Sequence, residues 1–412
     1  MGKKLWIATI LMVGAAFVFL ALAQPAEAKE PPLTKIEQLG KRLFLDKALS
    51  INGNQSCATC HAAEFGYTGP KSEINLHGAV YPGSIETRFG DRKPPTSAYG
   101  GESPILYYDA EDEVWVGGMF WDGRAAGFDL GDPLAEQAKG PFLNPVEQAL
   151  PDAETLCWKV YQANYAKLFE QVWGKGTLTC DTPEAVESVY DKIGLSISAY
   201  EKSYEVNPFN SKFDRFWDKA KAKGMDVAEI NMTNWQAYLK LGLSADEVYG
   251  LAVFIDEEKG KCALCHTLDE GSAGYPLFTD FTYDNLGMPK NPENPVYMSN
   301  PGFIDLGLGA FLKSAGYPED VYTAEMGKFK VPTLRGVDLR EGKSVKAYGH
   351  NGAFKSLKEI VHFYNTRDVM PWPAPEYADT VNTEELGNLG LTDAEEDAIV
   401  LFMKTLSDKI AP

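Results

Sequence analysis

SCATCH, residues 56 to 61, returns in the second half of the chain as KCALCH, residues 261 to 266. Each stretch places a histidine directly after the second of two cysteines that are separated by two residues. Two such cysteine pairs could together make one four-cysteine zinc site. The histidines favour another chemistry: two cysteine thioethers pin a haem so that the next residue's imidazole meets the iron from the proximal side. The chain has only five histidines, and two of them stand in this place. Cys57, Cys60 and His61, with Cys262, Cys265 and His266, are therefore read as two covalent c-type haem sites, His61 and His266 being iron ligands.

The N-terminus agrees with haem attachment outside the cytosol. Lys3 and Lys4 precede an apolar run from Leu5 to Ala23, and small residues follow at Ala26 and Ala28. This is the pattern of an export signal cleaved after Ala28, and if uncleaved the run would serve as a single membrane anchor. The expected location is the periplasm or the cell surface. Loss of Lys3, Lys4 and Glu27 with the leader takes the formal charge from −19 to −20. So acidic a chain excludes nucleic-acid binding, which needs clustered Lys and Arg; the acidity reads as a solvated surface or as a docking face for a basic partner. Cys157 and Cys180 remain, and in an oxidising compartment they are expected to pair, two free thiols being the alternative.

Periodicity predicts a mainly α fold with little sheet. LTKIEQLGKRLFLDKALS, residues 33 to 50, spaces Ile36, Leu39 and Leu43 on one helical face ahead of the first haem motif. LSADEVYGLAVFID, residues 243 to 256, opens on a capping box of Ser244 and Glu247 and stripes Val248, Leu251 and Ile255 ahead of the second. Thr392 and Glu395 cap a closing helix with Ile399, Phe402 and Leu406 inward. Gly- and Pro-rich stretches at 66 to 105 and 271 to 303 read as loops wrapped around the haems. The expected organisation is a leader over 1–28, a first cytochrome c-like haem domain over 29–225 and a second over 226–412, the last helix packing back on the first domain.

An ordered set of motifs through most of the mature chain resembles the bacterial di-haem cytochrome c peroxidase and MauG family: LFLDKALS before CATCH, then FWDGRA, EQAKGPFLNPVE, CALCH, FKVPTLRGV, YGHNG and SLKEIVHFY. The resemblance implies that peroxide reacts at the first haem, which is the peroxidatic one, and that the second relays electrons. It also implies that Gln137 and Glu147, with Pro141 beside them, form the distal pocket over the first haem. A carboxyl there can carry a proton from one peroxide oxygen to the other, provided burial raises its pKa. Trp121 of FWDGRA resembles the tryptophan that passes electrons between the haems. Six extra residues around AGFDLGD separate it from Gln137 relative to the usual family spacing. The resemblance further implies calcium between the haems, although Lys93 of DRKPPT stands where the family carries Asn.

The ligand opposite His266 distinguishes the branches. Cytochrome c peroxidases carry a methionine fourteen residues after the histidine of the YGHNG-type motif, and MauG a tyrosine; here that position, counted from His350, is Tyr364. Ser356 and Glu359 form a capping box, Leu357, Val361 and Tyr364 share a helical face, and Lys358, His362 and Asn365 share the opposite, solvated one. Met370 and Met326 are the other candidates. A phenolate stabilises oxidised iron better than a thioether does. His77 lies sixteen residues after His61, where gated peroxidases carry a histidine that blocks the first haem, and is a candidate ligand there. Where MauG has a surface tryptophan, two residues before the second CxxCH, this chain has Gly260, so Trp235 or Trp372 is expected to replace it. The expected function is MauG-like: hydrogen peroxide drives both haems to a high-valent state that oxidises a Trp or Tyr of an exported protein. The alternative is a peroxidase that reduces peroxide to water with electrons from a small cytochrome c or copper protein. A di-haem electron carrier without catalysis is a third reading, opposed by Gln137 and Glu147.

Overall fold

The computed structural model describes residues 31–339 and 343–409; the expected leader lies outside them. As expected, the chain is mainly helical. Its helices are α1 (Lys35–Leu45), α2 (Cys57–Cys60), α3 (Ser72–Leu76), α4 (Pro133–Leu143), α5 (Ala153–Gln162), α6 (Ala166–Trp173), α7 (Pro183–Glu201), α8 (Lys212–Lys221), α9 (Ala245–Ile255), α10 (Pro295–Ser299), α11 (Gly307–Ser314), α12 (Glu319–Ala324), α13 (Leu357–Thr366) and α14 (Asp393–Met403). The only named strands among the described residues form two short antiparallel pairs, β1 (Tyr107–Asp109) with β2 (Val114–Val116) and β3 (Tyr283–Asp284) with β4 (Phe329–Lys330).

Two apolar cores organise these helices, each around a glycine-mediated crossing. In the first, a capping box of Thr34 and Glu37 starts α1, which buries Leu39, Leu43 and Phe44. Thr182 and Pro183 start α7, which buries Val189, Ile193 and Ile197. The two helices pack so closely at Gly40 that a Cβ there would lie 1.8 Å from Ser196 O. In the second core α9, capped by Ser244 and Glu247, meets α14, capped by Thr392 and Glu395. A Cβ on Gly250 would lie 1.9 Å from Ala398 O. Substituting either glycine forces the helices apart, because the obstructing atom is backbone.

In chain order the first core runs from Leu39 to Val206 and then takes in Leu277, and the second begins at Phe213 on α8. Phe213, Phe254, Phe278 and Phe402 meet edge-on, with ring centroids 5.0 to 6.4 Å apart; such aromatic pairs each add about 1 kcal/mol beyond area burial. Arg335 is fully buried and pairs with Asp214, Nη2 to Oδ1 2.9 Å. Helix α14 packs against α9 and α13, and beyond it Asp408 reaches Tyr99 and the Asn210 N–H. Cys157 of α5 and Cys180 form a disulfide, Cα atoms 6.0 Å apart.

Helix α13 departs from the sequence reading on one face. Ser356 accepts from the Glu359 N–H as expected, but the Glu359 carboxylate accepts from the Lys355 N–H rather than closing a box. The polar face packs on α14: Asn365 is buried and donates to Glu396 Oε1 at 2.7 Å. His362 Nδ1 lies 2.9 Å from the same oxygen. Polar periodicity cannot separate a solvated face from one whose polar groups are satisfied by a neighbouring helix.

Candidate haem sites and the region between them

The first motif forms α2, with His61 as its C-cap. His61 Nδ1 lies 3.1 Å from Tyr67 O, and His266 Nδ1 lies 2.8 Å from Phe278 O. In each case the contact fixes the tautomer with Nδ1–H donating, which leaves the Nε2 lone pair free for a metal. Burial holds both imidazoles down to about 4, so both are neutral, the ligand form. The four motif cysteines are unpaired and half-buried. A cavity whose lining includes Cys262, Cys265, His266, Met288, Tyr364 and Trp121 opens beside the second motif. Free sulfurs and neutral imidazoles at both motifs, with this cavity at the second, fit covalent haem.

Glu147 follows α4 in a turn held by its own N–H on Asn144 O. Burial raises the Glu147 carboxyl; Arg124 and an Asn144 amide bond of 2.7 Å to Oε1 work against the rise. Burial raises the Cys57 and Cys60 thiols, and the nearby Glu147 carboxyl adds to the rise at both. Gln137 and Pro141 lie half-buried on α4. The extra AGFDLGD segment is pinned by Glu136, whose carboxylate accepts from the N–H groups of Gly127, Asp129 and Leu130 at 2.7 to 2.9 Å. It ends on Asp132, the N-cap of α4. Arg124, in the same motif as Trp121, is a contributor that motif reading alone did not single out. Another is Glu201 at the end of α7, pushed up to about 8 by burial and near Cys57.

Tyr364 lines the cavity of the second motif, close to Cys265 and Cys262. Burial raises its phenol, and those two thiols and Asp284 push the same way. Its hydroxyl has no hydrogen-bond partner among the described residues. Met288, buried against Gly349, lines the same cavity. Of the methionines weighed from sequence, Met370 is 49% exposed, and Met326 Sδ accepts from the Tyr377 hydroxyl at 3.6 Å. Burial raises the Cys265 thiol, and Asp280, Glu385 and Asp284 nearby add to the rise.

Trp121 lines the cavity beside the second motif. Its Nε1–H donates to Lys93 O at 2.9 Å, and its ring lies 6.5 Å from that of His350. Arg92 bridges Asp122 and Asp305 at 2.6 and 2.7 Å, which fixes the loop that carries the indole. His77 is not brought into this arrangement: its side chain is 56% exposed, with Nδ1 2.9 Å from Glu293 Oε1. Gly260 has no room for a side chain, since a Cβ would lie 2.2 Å from Val253 O. Trp235 packs edge-on to Tyr249 at 5.5 Å. Trp372 stands perpendicular to Phe363, the neighbour of Tyr364, at 5.2 Å.

The model of the family described as di-haem cytochrome c peroxidase matches residues 34–222. The methylamine utilization protein MauG of Paracoccus denitrificans is 34% identical over 409 residues, covering 95% of this chain and 93% of that protein. Cytochrome c551 peroxidase of Nitrosomonas europaea is 26% identical, with 93% and 83% covered. The crystal structure of the di-haem peroxidase BthA from Burkholderia thailandensis superposes with a TM-score of 0.71 at 29% identity, covering 92% of this chain and 88% of that one. Among the described residues no helix is long and apolar enough to cross a membrane.

Proposed function

The chain belongs to the di-haem cytochrome c peroxidase and MauG family, and from that premise we propose that it is a MauG-like enzyme, which uses hydrogen peroxide to oxidise a Trp or Tyr of an exported protein partner. The observation that carries this reading is Tyr364, whose unpartnered phenol lines the cavity beside Cys262 and Cys265. Bound haem would supply one iron that reacts with peroxide and a second that exchanges electrons with it. The chain's own residues do the rest. Cys57, Cys60 and His61 hold one haem and Cys262, Cys265 and His266 the other. Glu147, steadied by Asn144, moves a proton between the peroxide oxygens, Gln137 completes that pocket, and Trp121 is the electron path between the sites. Two electrons and two protons turn the peroxide into two waters; loss of two hydrogens from the partner side chain balances them.

A second reading, a peroxidase fed electrons by a small cytochrome c or copper protein, is favoured by Met288 in the same cavity, since a thioether ligand would make the relay haem easier to reduce. Mixing holoenzyme and peroxide with candidate exported proteins tests the choice. Mass spectrometry should find oxygen addition or hydrogen loss on a partner Trp or Tyr. Fast, saturable oxidation of reduced cytochrome c with no such modification would establish the second reading instead.

An open first site follows from the same proposal, because His77 is on the surface and paired with Glu293. The resting ferric holoenzyme is expected to show one high-spin and one low-spin iron, and His77→Gly should leave both signals as they are. Two low-spin irons, one turning high-spin in the variant, would mean a gated peroxidase.

With Gly260 closed to a side chain, we propose Trp372 as the aromatic residue that takes electrons from the partner. It is flanked by exposed Val369 and Met370, 59% and 49% accessible, which offer an apolar contact. Trp372→Phe is expected to slow partner oxidation while peroxide still reacts at the wild-type rate, and Trp235→Phe should slow neither. Equal losses in the two variants would remove Trp372 from the route.

A further inference from the structure

The region between the two sites holds buried positive charge where the family resemblance implies calcium. Lys93 Nζ donates to Pro94 O at 3.0 Å and to Thr68 Oγ1 at 3.3 Å, and Thr68 in turn donates to Pro94 O at 2.7 Å. Lys346, 4% exposed, donates from Nζ to Phe65 O at 3.2 Å and Gly336 O at 3.1 Å. Burial lowers the Lys93 ammonium to about 7, and the nearby Lys346 charge pushes the same way; both side chains line the cavity that reaches the second motif. No carboxylate pairs with Lys93 among the described residues.

These oxygens, three backbone carbonyls and a hydroxyl, are the hard, oxygen-only kind that a calcium ion takes. Calcium needs six to eight of them, commonly with carboxylates, and here the ammoniums already use them. A divalent ion added beside the Lys93 ammonium would meet repulsion in a medium that screens poorly. No group of three or more His, Cys, Asp or Glu among the described residues is placed to hold a metal. The residues present do not fit calcium.

Lys93 is also wired to both sites through its backbone. Its N–H donates to His350 O at 2.8 Å, and its carbonyl accepts the Trp121 indole N–H. Thr68 follows Tyr67, whose carbonyl orients His61, and the Lys93 charge is felt at His61 itself. We propose that the ammonium of Lys93, backed by Lys346, is the resident cation between the two haem sites, so that Trp121 and the His61 loop are positioned without calcium. This does not depend on which partner the enzyme oxidises.

Elemental analysis of the holoenzyme after dialysis tests the proposal directly. Calcium is expected at far below one ion per chain, and neither EGTA nor added calcium should change the haem spectra or the melting temperature. Stoichiometric calcium whose removal shifts the spectra would overturn it. Lys93→Met removes the charge with little change of volume. Because a cation beside His61 disfavours oxidised iron, the variant's first haem should be harder to reduce in a spectroelectrochemical titration, while Lys93→Arg should stay near wild type. Unchanged potentials in a folded Lys93→Met variant would refute the role of the charge. The wild-type calcium measurement decides the case even where neither variant folds.

Discussion

Tyr364→Phe is expected to change the low-spin spectrum of the second iron completely and to abolish storage of oxidising equivalents at that site. The variant keeps the ring that packs beside Phe363, ring centroids 6.3 Å apart, and removes only the oxygen. Burial alone keeps a phenol protonated, so Tyr364 becomes a phenolate only if a metal charge outweighs that burial, which ferric iron can do. Axial-ligand choice spans roughly 0.8 V across haem proteins. Tyr364→Met should raise the potential of the second iron by a substantial part of that range and improve turnover with reduced cytochrome c. Resonance Raman and electron paramagnetic resonance of the resting ferric protein read the ligand directly. An unchanged low-spin signal in Tyr364→Phe would hand the ligand role to Met288, and Met288→Leu would then carry the change.

What the sequence made legible follows from the range of the interactions. The CxxCH units are local, and so are the caps at Thr34, Ser244 and Thr392, each set by residues three apart. The position of Tyr364 on the cavity side of its helix could be read from the apolar stripe of Leu357 and Val361. Contacts between distant segments could not. Lys93 and Lys346 meet across more than half the chain, and nothing local marks either as buried. Arg335 and Asp214, 121 residues apart, would each read as surface charges. Met288 sits in a Gly- and Pro-rich stretch with no period to place it. The burial of Asn365 depends on Glu396, a carboxylate on another helix. His77 shows the converse limit: its offset from His61 matches a ligand position, but the loop fold turns it to Glu293. Spacing counts residues, whereas ligation depends on where the intervening backbone goes.

Glu147→Gln is expected to slow the reaction with peroxide by roughly a hundredfold to ten-thousandfold, the range of a lost general acid-base group. Heterolysis of the peroxide bond requires that one oxygen lose its proton and the other leave as water. A carboxyl does both when its pKa sits above the ordinary carboxylate range but within reach of neutrality. The structure provides both halves of that adjustment: burial raises the group, while Arg124 and the Asn144 amide hold the rise in check. The side-chain amide introduced by Glu147→Gln would keep the shape and an acceptor for the Asn144 amide, but it can neither take nor return a proton. Both haems should stay attached, since neither motif is touched. Asn144→Leu removes the hydrogen bond that favours the carboxylate, so the pKa of Glu147 should rise further. The acid limb of the rate profile should then move to higher pH, because the base form is populated only above that pKa. Stopped-flow mixing with peroxide across pH separates the effects: Glu147→Gln lowers the rate at all pH values, and Asn144→Leu displaces the limb. A wild-type rate in a folded Glu147→Gln variant would remove the carboxyl from the mechanism and leave Gln137 as the polar group of that pocket to test.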